Sequence, residues 1–252
     1  MANFAMEIIY DGTSYHGWQR QNNGITVQEV VEKTLSSLTG EEVAVCGCSR
    51  TDAGVHALSY ILNFNSKTMI PAEKIPLAFN NLSGVSDIKA VRCKVVNDDF
   101  SARFSNDGKT YVYKIWNSKI QNPFTSKFSW YVPYNLNIEK MKLAAKAFEG
   151  THDFAGFMAK GGSQKTTVRT VRRCEIYDKY EWNEQIALEI EADAFLYNMV
   201  RIIVGTVVYC GMGRIQPEEI PQIIKKCDRT LAGTTAPPEG LFLKEVKYEL
   251  QD

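Results

Sequence analysis

The chain carries no excess of charge of either sign. Lys and Arg together number 29, and so do Asp and Glu, so the formal net charge of the 252 residues is zero. A global field that would draw the protein to nucleic acid or to a membrane is therefore excluded. A local patch remains possible, because no acidic residue occurs between Asp153 and Glu175. The basic residues of this segment are Lys160, Lys165, Arg169, Arg172 and Arg173, and the alternative to a binding patch is a solvated loop and strand face.

The sequence also lacks the two cysteine pairs of a typical zinc site. The six cysteines are Cys46, Cys48, Cys93, Cys174, Cys210 and Cys227. The only close pair is Cys46 and Cys48, and no second pair completes a zinc site. We expect buried free thiols in a reducing compartment and no metal.

No apolar run reaches the roughly 18 residues that a membrane span needs. The N-terminus, MANFAMEIIYDG, has no basic start followed by the apolar block of a signal peptide. These two absences predict a cytoplasmic protein. The hydrophobic content of 44% is enough for a substantial buried core.

The pattern of apolar residues predicts an α+β fold. In the first half, the spacing predicts strands at 5–10, 43–48, 58–64 and 88–96, and helices at 26–40 and 71–81. In the second half it predicts strands at 109–116, 167–180, 185–192 and 241–250, and helices at 138–149, 195–210 and 217–227. The similar order indicates two ferredoxin-like (RRM-like) halves, with mixed, mainly antiparallel sheets joined around a central cleft. We place the halves at 1–105 and 106–252, because NDG interrupts the pattern there.

The stretch CGCSRTDAGVHA lies between two of the predicted strands, so Arg50, Thr51 and Asp52 are expected on a connecting loop. Gly54 can take positive φ and let the chain turn sharply. One reading is a turn in which Asp52 caps backbone N–H groups and pairs with Arg50. The other is a nucleophilic carboxylate kept ionised by an arginine, either Arg50 or Arg201. Arg201 lies in a helix so apolar that it needs a partner.

Five separated blocks resemble the tRNA pseudouridine synthase A family, in the family's order and across nearly the whole chain. They are YDGTSYHGWQRQ, SRTDAGVHA, DDFSARFS followed by KTYVYKI, FLYNMVRIIVGT, and TTAPPEGLFL. The resemblance implies an isomerase that converts uridine to pseudouridine at positions 38 to 40 of the anticodon stem-loop of tRNA, without cofactor or metal. The family's essential aspartate, the catalytic nucleophile, falls on Asp52, although the sequence leaves its covalent route open.

The resemblance also implies the substrate-binding residues. Tyr111 matches the tyrosine that stacks on the target uracil, since an aromatic face holds a base without fixing its edges. Arg201 matches the arginine that pairs with the aspartate, and Arg50 the arginine that enters the stem as the nucleotide flips out. Leu241 and Leu243 fit an apolar wall over the base, or ordinary strand core.

RNA contacts outside the pocket are expected at Gln19, Arg20, Lys160, Lys165 and Arg169, whereas Trp18 is expected in the core. The family works as a homodimer that grips tRNA across both subunits. Three positions depart from the family pattern. Ser49 replaces a common glycine, so either the backbone there does not need positive φ or the site is slightly altered. Asn198 replaces a frequent histidine and Pro238 a common alanine.

Two other functions are considered. A catalytically silent tRNA-binding or tRNA-folding protein is opposed by the presence of Asp52, Tyr111 and Arg201. A hydrolase with Asp52 and His56 as an acid/base pair lacks a second carboxylate at a diagnostic spacing, and a lone histidine on such a loop is usually structural.

Overall fold

The protein is described here from a computed structural model, which describes residues 1–162 and 165–248. Contacts divide the chain into two compact units. The first unit comprises Met1–Asp107 and the C-terminal segment from Phe242, and the second comprises Gly108–Leu241. The functional roles expected of the two halves, 1–105 and 106–252, remain predictions.

The first unit has the βαββαβ order of a ferredoxin-like fold. Its elements are β1 (Ala2–Tyr10), α1 (Val27–Thr39), β2 (Cys46–Gly47), β3 (His56–Ser66), α2 (Ile75–Leu82) and β4 (Ile88–Val96). Strand β1 lies between β4 and β3 and is antiparallel to both. Short β2 pairs antiparallel with β3, and the last strand, β10 (Leu241–Tyr248), pairs with β3 in parallel.

Helix α1 begins and ends as its sequence predicts. The side chain of Thr26 accepts a hydrogen bond from the backbone N–H of Glu29, which satisfies one of the free donors of the first turn. Gly40 ends the helix in the left-handed conformation at φ 74°. The inward face of α1 is apolar and fully buried at Val27, Val31 and Leu35.

With two short strands and a final helix added, the second unit repeats the order of strand, helix, two strands and helix. Its elements are β5 (Asn106–Trp116), β6 (Trp130–Tyr131), α3 (Ile138–Lys146), β7 (Gly150–Asp153), β8 (Val168–Asp178), β9 (Gln185–Ala192), α4 (Met199–Gly211) and α5 (Ile220–Lys226). The sheet order is β5, β9, β8, β7, all antiparallel, and short β6 lies parallel to β5. The α+β prediction is confirmed.

The structure shortens two predicted elements and adds two short strands. The helix expected from residue 195 begins only at Met199, because Asn198 takes the left-handed conformation at φ 59°. The strand expected at 43–48 is reduced to two residues, Cys46–Gly47, and short β6 and β7 were not predicted. The predicted end of the last strand, at residue 250, lies outside the described residues.

None of the helices in the described part of the chain is long and apolar enough to cross a bilayer. The same residues contain no cluster of His, Cys, Asp and Glu side chains that could hold a metal ion. All six cysteines are free. The expectation of buried thiols is confirmed for four of them, whereas Cys46 is only half-buried and Cys227 is exposed. Cys227 is exposed because it ends α5 in the left-handed conformation at the surface.

Candidate active site

The loop that carries Asp52 connects β2 to β3, as predicted. Arg50 is exposed, Thr51 is buried, and Asp52 lies half-buried between Thr51 and Val55, which is also buried. The N–H of Val55 donates to the carbonyl oxygen of Asp52 over 3.1 Å, which closes a tight turn. Gly54 has φ 78°, so the prediction of positive φ at this glycine is confirmed. Asp52 as a residue is partly exposed at this turn.

Ser49, which replaces a glycine common in the family, does not have positive φ. The first alternative for this position is thus confirmed. The hydroxyl of Tyr60 donates to the carbonyl oxygen of Ser49, and the N–H of Ser49 lies 3.4 Å from the same hydroxyl. Tyr60 is fully buried on β3, so the start of the loop is attached to the core.

The N-terminal block YDGTSYHGW packs directly beneath the Asp52 loop. The N–H of Trp18 donates to the carbonyl oxygen of Thr51 over 3.1 Å. Trp18 is 3% exposed and stacks on Tyr60 at 4.1 Å, so its assignment to the core is confirmed. Gly17, at φ 84°, allows this close approach, because a Cβ there would lie 2.6 Å from the carbonyl oxygen of Thr51.

His56 has a structural environment at the end of the loop. It is 1% exposed, and its ring stacks on Phe242 at 4.6 Å. Its Nδ1 accepts a hydrogen bond from the N–H of Gly12 over 3.1 Å and lies 3.1 Å from Asp11 Oδ1. These contacts fit a histidine that joins two backbone segments.

Asp11 is held as a carboxylate beside this histidine. Partial burial raises its pKa, but this effect is outweighed by hydrogen bonds from the hydroxyl and N–H of Thr13 and by the nearby His56. The net result is a pKa below the ordinary value for aspartate.

Tyr111 lies on β5 in the second unit, opposite Ile190 of β9. It is 6% exposed, and the edge of its ring meets Phe195 at 5.1 Å and 87°. This edge-to-face contact fixes the plane of the tyrosine ring. Tyr113, two residues on, is fully buried and donates its hydroxyl to the carbonyl oxygen of Pro237 over 2.7 Å. Burial raises the pKa of Tyr113 well above its usual range.

Arg201 lies in the first turn of α4, where its neighbours are apolar and buried. Its Nε donates to the carbonyl oxygen of Ala236 and its Nη1 to Asn198 Oδ1, both over 2.7 Å. The N–H of Ala236 donates back to the carbonyl oxygen of Arg201 over 3.0 Å. These bonds fix the orientation of the guanidinium, and the part played by Asn198 was not predicted from the sequence. Leu241 and Leu243 are both buried, as either a pocket wall or strand core would be.

The predicted RNA contacts of the first unit are exposed. Gln19 Nε2 donates to Gln28 Oε1 over 3.2 Å. Arg20 pairs with Glu32 over 3.1 Å, yet its side chain remains 56% exposed.

The basic segment of the second unit contains exposed lysines and arginines that are either buried or close to carboxylates. Lys160 and Lys165 are exposed, whereas Arg169 is 9% exposed. The Nη1 of Arg169 donates to the carbonyl oxygens of Thr166 and Val168 over 3.0 and 2.6 Å. The next two arginines face carboxylates: Arg172 lies 3.7 Å from Glu191, and Arg173 lies 3.3 Å from Glu175. The positive charge of the segment is therefore concentrated on its two lysines.

Comparison with known proteins shows the family to which the chain belongs. The sequence model of the tRNA pseudouridine synthase family matches residues 7–105 and 144–249. These ranges include Asp52 and Arg201, while Tyr111 lies in the interval between them. The chain is 51% identical to the tRNA pseudouridine synthase A of Thermoanaerobacter sp. (strain X514), over 98% of this chain and all of the relative. It is 46% identical to that of Ruminiclostridium cellulolyticum, over 98% of this chain and all of the relative.

The fold, the loop and these matches define a pseudouridine synthase, an isomerase that acts on uridine in tRNA. Within that class, the chain belongs to the tRNA pseudouridine synthase A family.

Proposed function

We propose that the enzyme forms pseudouridine at positions 38 to 40 of the anticodon stem-loop of tRNA, with Asp52 as the catalytic nucleophile. The observation that carries the proposal is the RTDAG loop. Its backbone is fixed on both sides of Asp52 by hydrogen bonds to Trp18 and Val55, while the residue is partly exposed. A carboxylate on a rigid loop is suited to attack a nucleotide brought to it.

The reaction needs no external reactant. The bond between N1 of uracil and C1′ of the ribose breaks, the base turns, and a bond between C5 and C1′ forms. The proton that leaves C5 is balanced by the proton gained at N1. An isomerisation of this kind consumes no co-substrate.

The substrate-binding roles extend this proposal to the second unit. Tyr111 stacks on the target uracil, and the contact with Phe195 holds its ring in one plane. Arg201 stabilises the ionised carboxylate, and its orientation by Ala236 and Asn198 supports that task. Leu241 forms part of the apolar wall over the base.

Arg50 fills the space that the flipped nucleotide leaves in the stem, and its exposure supports this role. The proposed backbone contacts are Gln19, Arg20, Lys160, Lys165 and Arg169. The bonds of Arg169 to the carbonyl oxygens of Thr166 and Val168 hold its guanidinium beside the start of β8. The proposal includes a homodimer that binds tRNA across both subunits, and a cytoplasmic location, where tRNA is available.

Position mapping tests the proposal. The purified enzyme is incubated with an unmodified tRNA that carries uridine at positions 38, 39 and 40, and pseudouridine is located by carbodiimide-based sequencing. We expect product at these three positions alone, and none in variants of the tRNA in which the three uridines are replaced by cytidine. Product confined to the D-arm or the T-arm would contradict the assignment of the anticodon arm.

A further inference from the structure

Tyr10 and Thr51 form a hydrogen bond that links the end of β1 to the Asp52 loop. Their hydroxyl oxygens are 2.7 Å apart, and both side chains are buried, at 4% and 7% exposure. Thr51 directly precedes Asp52 in the chain, so the position of the Thr51 backbone determines the position of the Asp52 backbone. Sequence patterns did not indicate this contact, because the two residues are separated by 41 positions.

The backbone of Thr51 is held from the same side. Its carbonyl oxygen accepts the hydrogen bond from Trp18, and Gly17 leaves just enough room for it. A Cβ on Gly12 would likewise fall far inside contact distance of the carbonyl oxygen of Val55. The N-terminal block is therefore fitted to the shape of the loop at several points, and the Tyr10 contact is the one made through a side-chain hydroxyl on each partner.

Packing alone does not require these two hydroxyls. The ring of Tyr10 packs at 5.6 Å from Tyr60, and a phenylalanine would keep that contact. A valine would fill the volume of Thr51. Two buried hydroxyls instead satisfy one another, and this bond fixes the rotation of the Thr51 side chain and the direction of the loop.

We propose that the Tyr10–Thr51 hydroxyl pair positions the Asp52 carboxylate for the chemical step. This inference rests on the proposed catalytic role of Asp52. Tyr10 and Thr51 are positioning residues that act through the loop. Reacting groups must be held close to their productive geometry, and a displacement of about 1 Å can cost on the order of a hundredfold in rate.

A double-mutant cycle under single-turnover conditions tests the pair. The variants are Tyr10→Phe, Thr51→Val and the double variant, and for each one the rate constant of pseudouridine formation and the Kd for the unmodified tRNA are measured. We expect each single variant to lower the rate constant about tenfold, with Kd changed by less than about twofold. The double variant should lose no more than either single variant, because each removes the same hydrogen bond.

Two further variants separate positioning from general stability. Thr51→Ser keeps the hydroxyl and should recover the rate constant to within about threefold of wild type. Tyr131→Phe is a matched control, since its hydroxyl donates to the carbonyl oxygen of Lys119 over 2.8 Å within the second unit. It should leave the rate constant unchanged, even if its melting temperature falls as much as that of Tyr10→Phe.

Additive losses, an effect on Kd alone, or failure of Thr51→Ser to recover the rate would each overturn the proposed pair. If Tyr10→Phe does not fold, Thr51→Val and Thr51→Ser decide the matter by themselves. Asp52→Asn is measured in the same assay. An inactive Asp52→Asn beside a fully active Thr51→Val would overturn the positioning role alone, whereas a fully active Asp52→Asn would overturn both proposals.

Discussion

Asn198 performs two tasks that a histidine or an alanine would not combine equally well. Its backbone is left-handed at φ 59°, a conformation that Asn tolerates better than most residues, and its Oδ1 accepts a hydrogen bond from Arg201. The position therefore stops the helix from extending upstream and orients the guanidinium at the same time. In this chain, the departure from the family pattern is accommodated by a specific contact.

The two tasks of Asn198 can be separated by substitution. Asn198→Gly keeps the left-handed backbone and loses the acceptor, so we expect the free energy of unfolding to fall by about 1 kcal/mol. Asn198→Ala also adds a backbone cost of about 1–2 kcal/mol and should be the less stable of the two. Urea denaturation measures both values, and equal stability of the two variants would contradict the backbone argument.

Cys227 differs from the other cysteines in being exposed. Cys93, Cys174 and Cys210 are buried, and burial raises the pKa of each, to about 12 for Cys93 and Cys210. The thiolate is the reactive form, so buried thiols with a raised pKa are protected twice.

Thiol labelling tests this difference. We expect N-ethylmaleimide at pH 8 to modify Cys227 well before Cys93, Cys174 and Cys210, as followed by peptide mass spectrometry. Cys227→Ser should remove that early product. Labelling of Cys174 at a comparable rate in the native protein would show that the second unit opens more readily than its packing implies.

At the scale of elements, α4 depends on a close approach that the sequence does not reveal. A Cβ on Gly205 would overlap the carbonyl oxygen of Thr234, and the N–H of Gly233 donates to Thr206 Oγ1 over 2.8 Å. The segment that packs here continues to Ala236, which accepts the bond from Arg201. Gly205 thus lets the segment lie against the helix that carries the arginine.

Gly205→Ala gives a prediction with a distinctive sign. Helix propensity alone would predict that alanine stabilises the protein by roughly 1 kcal/mol. The overlap predicts the opposite, a loss of about 2–4 kcal/mol, because either the segment or the helix must move. Thermal and urea denaturation decide between the two, and a stabilised variant would contradict the close packing.

Elements with strong local signals were predicted well. The capping residues Thr26 and Gly40 fix both ends of α1, and the strand predicted at 88–96 agrees with β4. The helix predicted from residue 195 began too early because apolar residues 195–197 continue the pattern. That pattern does not show that Asn198 takes the left-handed conformation and accepts a hydrogen bond from Arg201, three residues on. Likewise, the sequence placed Asp52 on a loop, but the contacts from Tyr10, Trp18 and Tyr60 depend on distant pairing that no local pattern encodes.

At the scale of the whole molecule, Asp11 makes folding sensitive to acid. Its pKa is lower in the folded protein than in the unfolded chain, so its contribution to stability is present above the unfolded value of about 3.9 and is lost as the pH falls below it. We expect the free energy of unfolding to decrease as the pH falls below about 4, and to decrease less steeply in Asp11→Asn. Thr13→Val, which removes one donor to Asp11, should give an intermediate slope in urea denaturation. Equal slopes in all three proteins would contradict the depressed pKa.

Because the net charge of the molecule is zero, tRNA binding depends on local basic side chains. If the exposed Lys160 and Lys165 contact phosphates, each replacement by Gln should weaken tRNA binding and reduce the slope of log K against log salt by roughly 0.7–0.9. Lys142→Gln is a suitable control, because that lysine is paired with Glu139 on α3. An unchanged slope in Lys160→Gln and Lys165→Gln would remove this segment from the interface.

The catalytic assignment of Asp52 is tested most directly by replacing its carboxylate with the isosteric amide. Asp52→Asn and the wild-type enzyme are incubated with the same unmodified tRNA, and both pseudouridine formation and tRNA affinity are measured. We predict that Asp52→Asn binds tRNA with an affinity close to that of wild type and forms no detectable pseudouridine. Undiminished pseudouridine formation by Asp52→Asn would contradict the assignment.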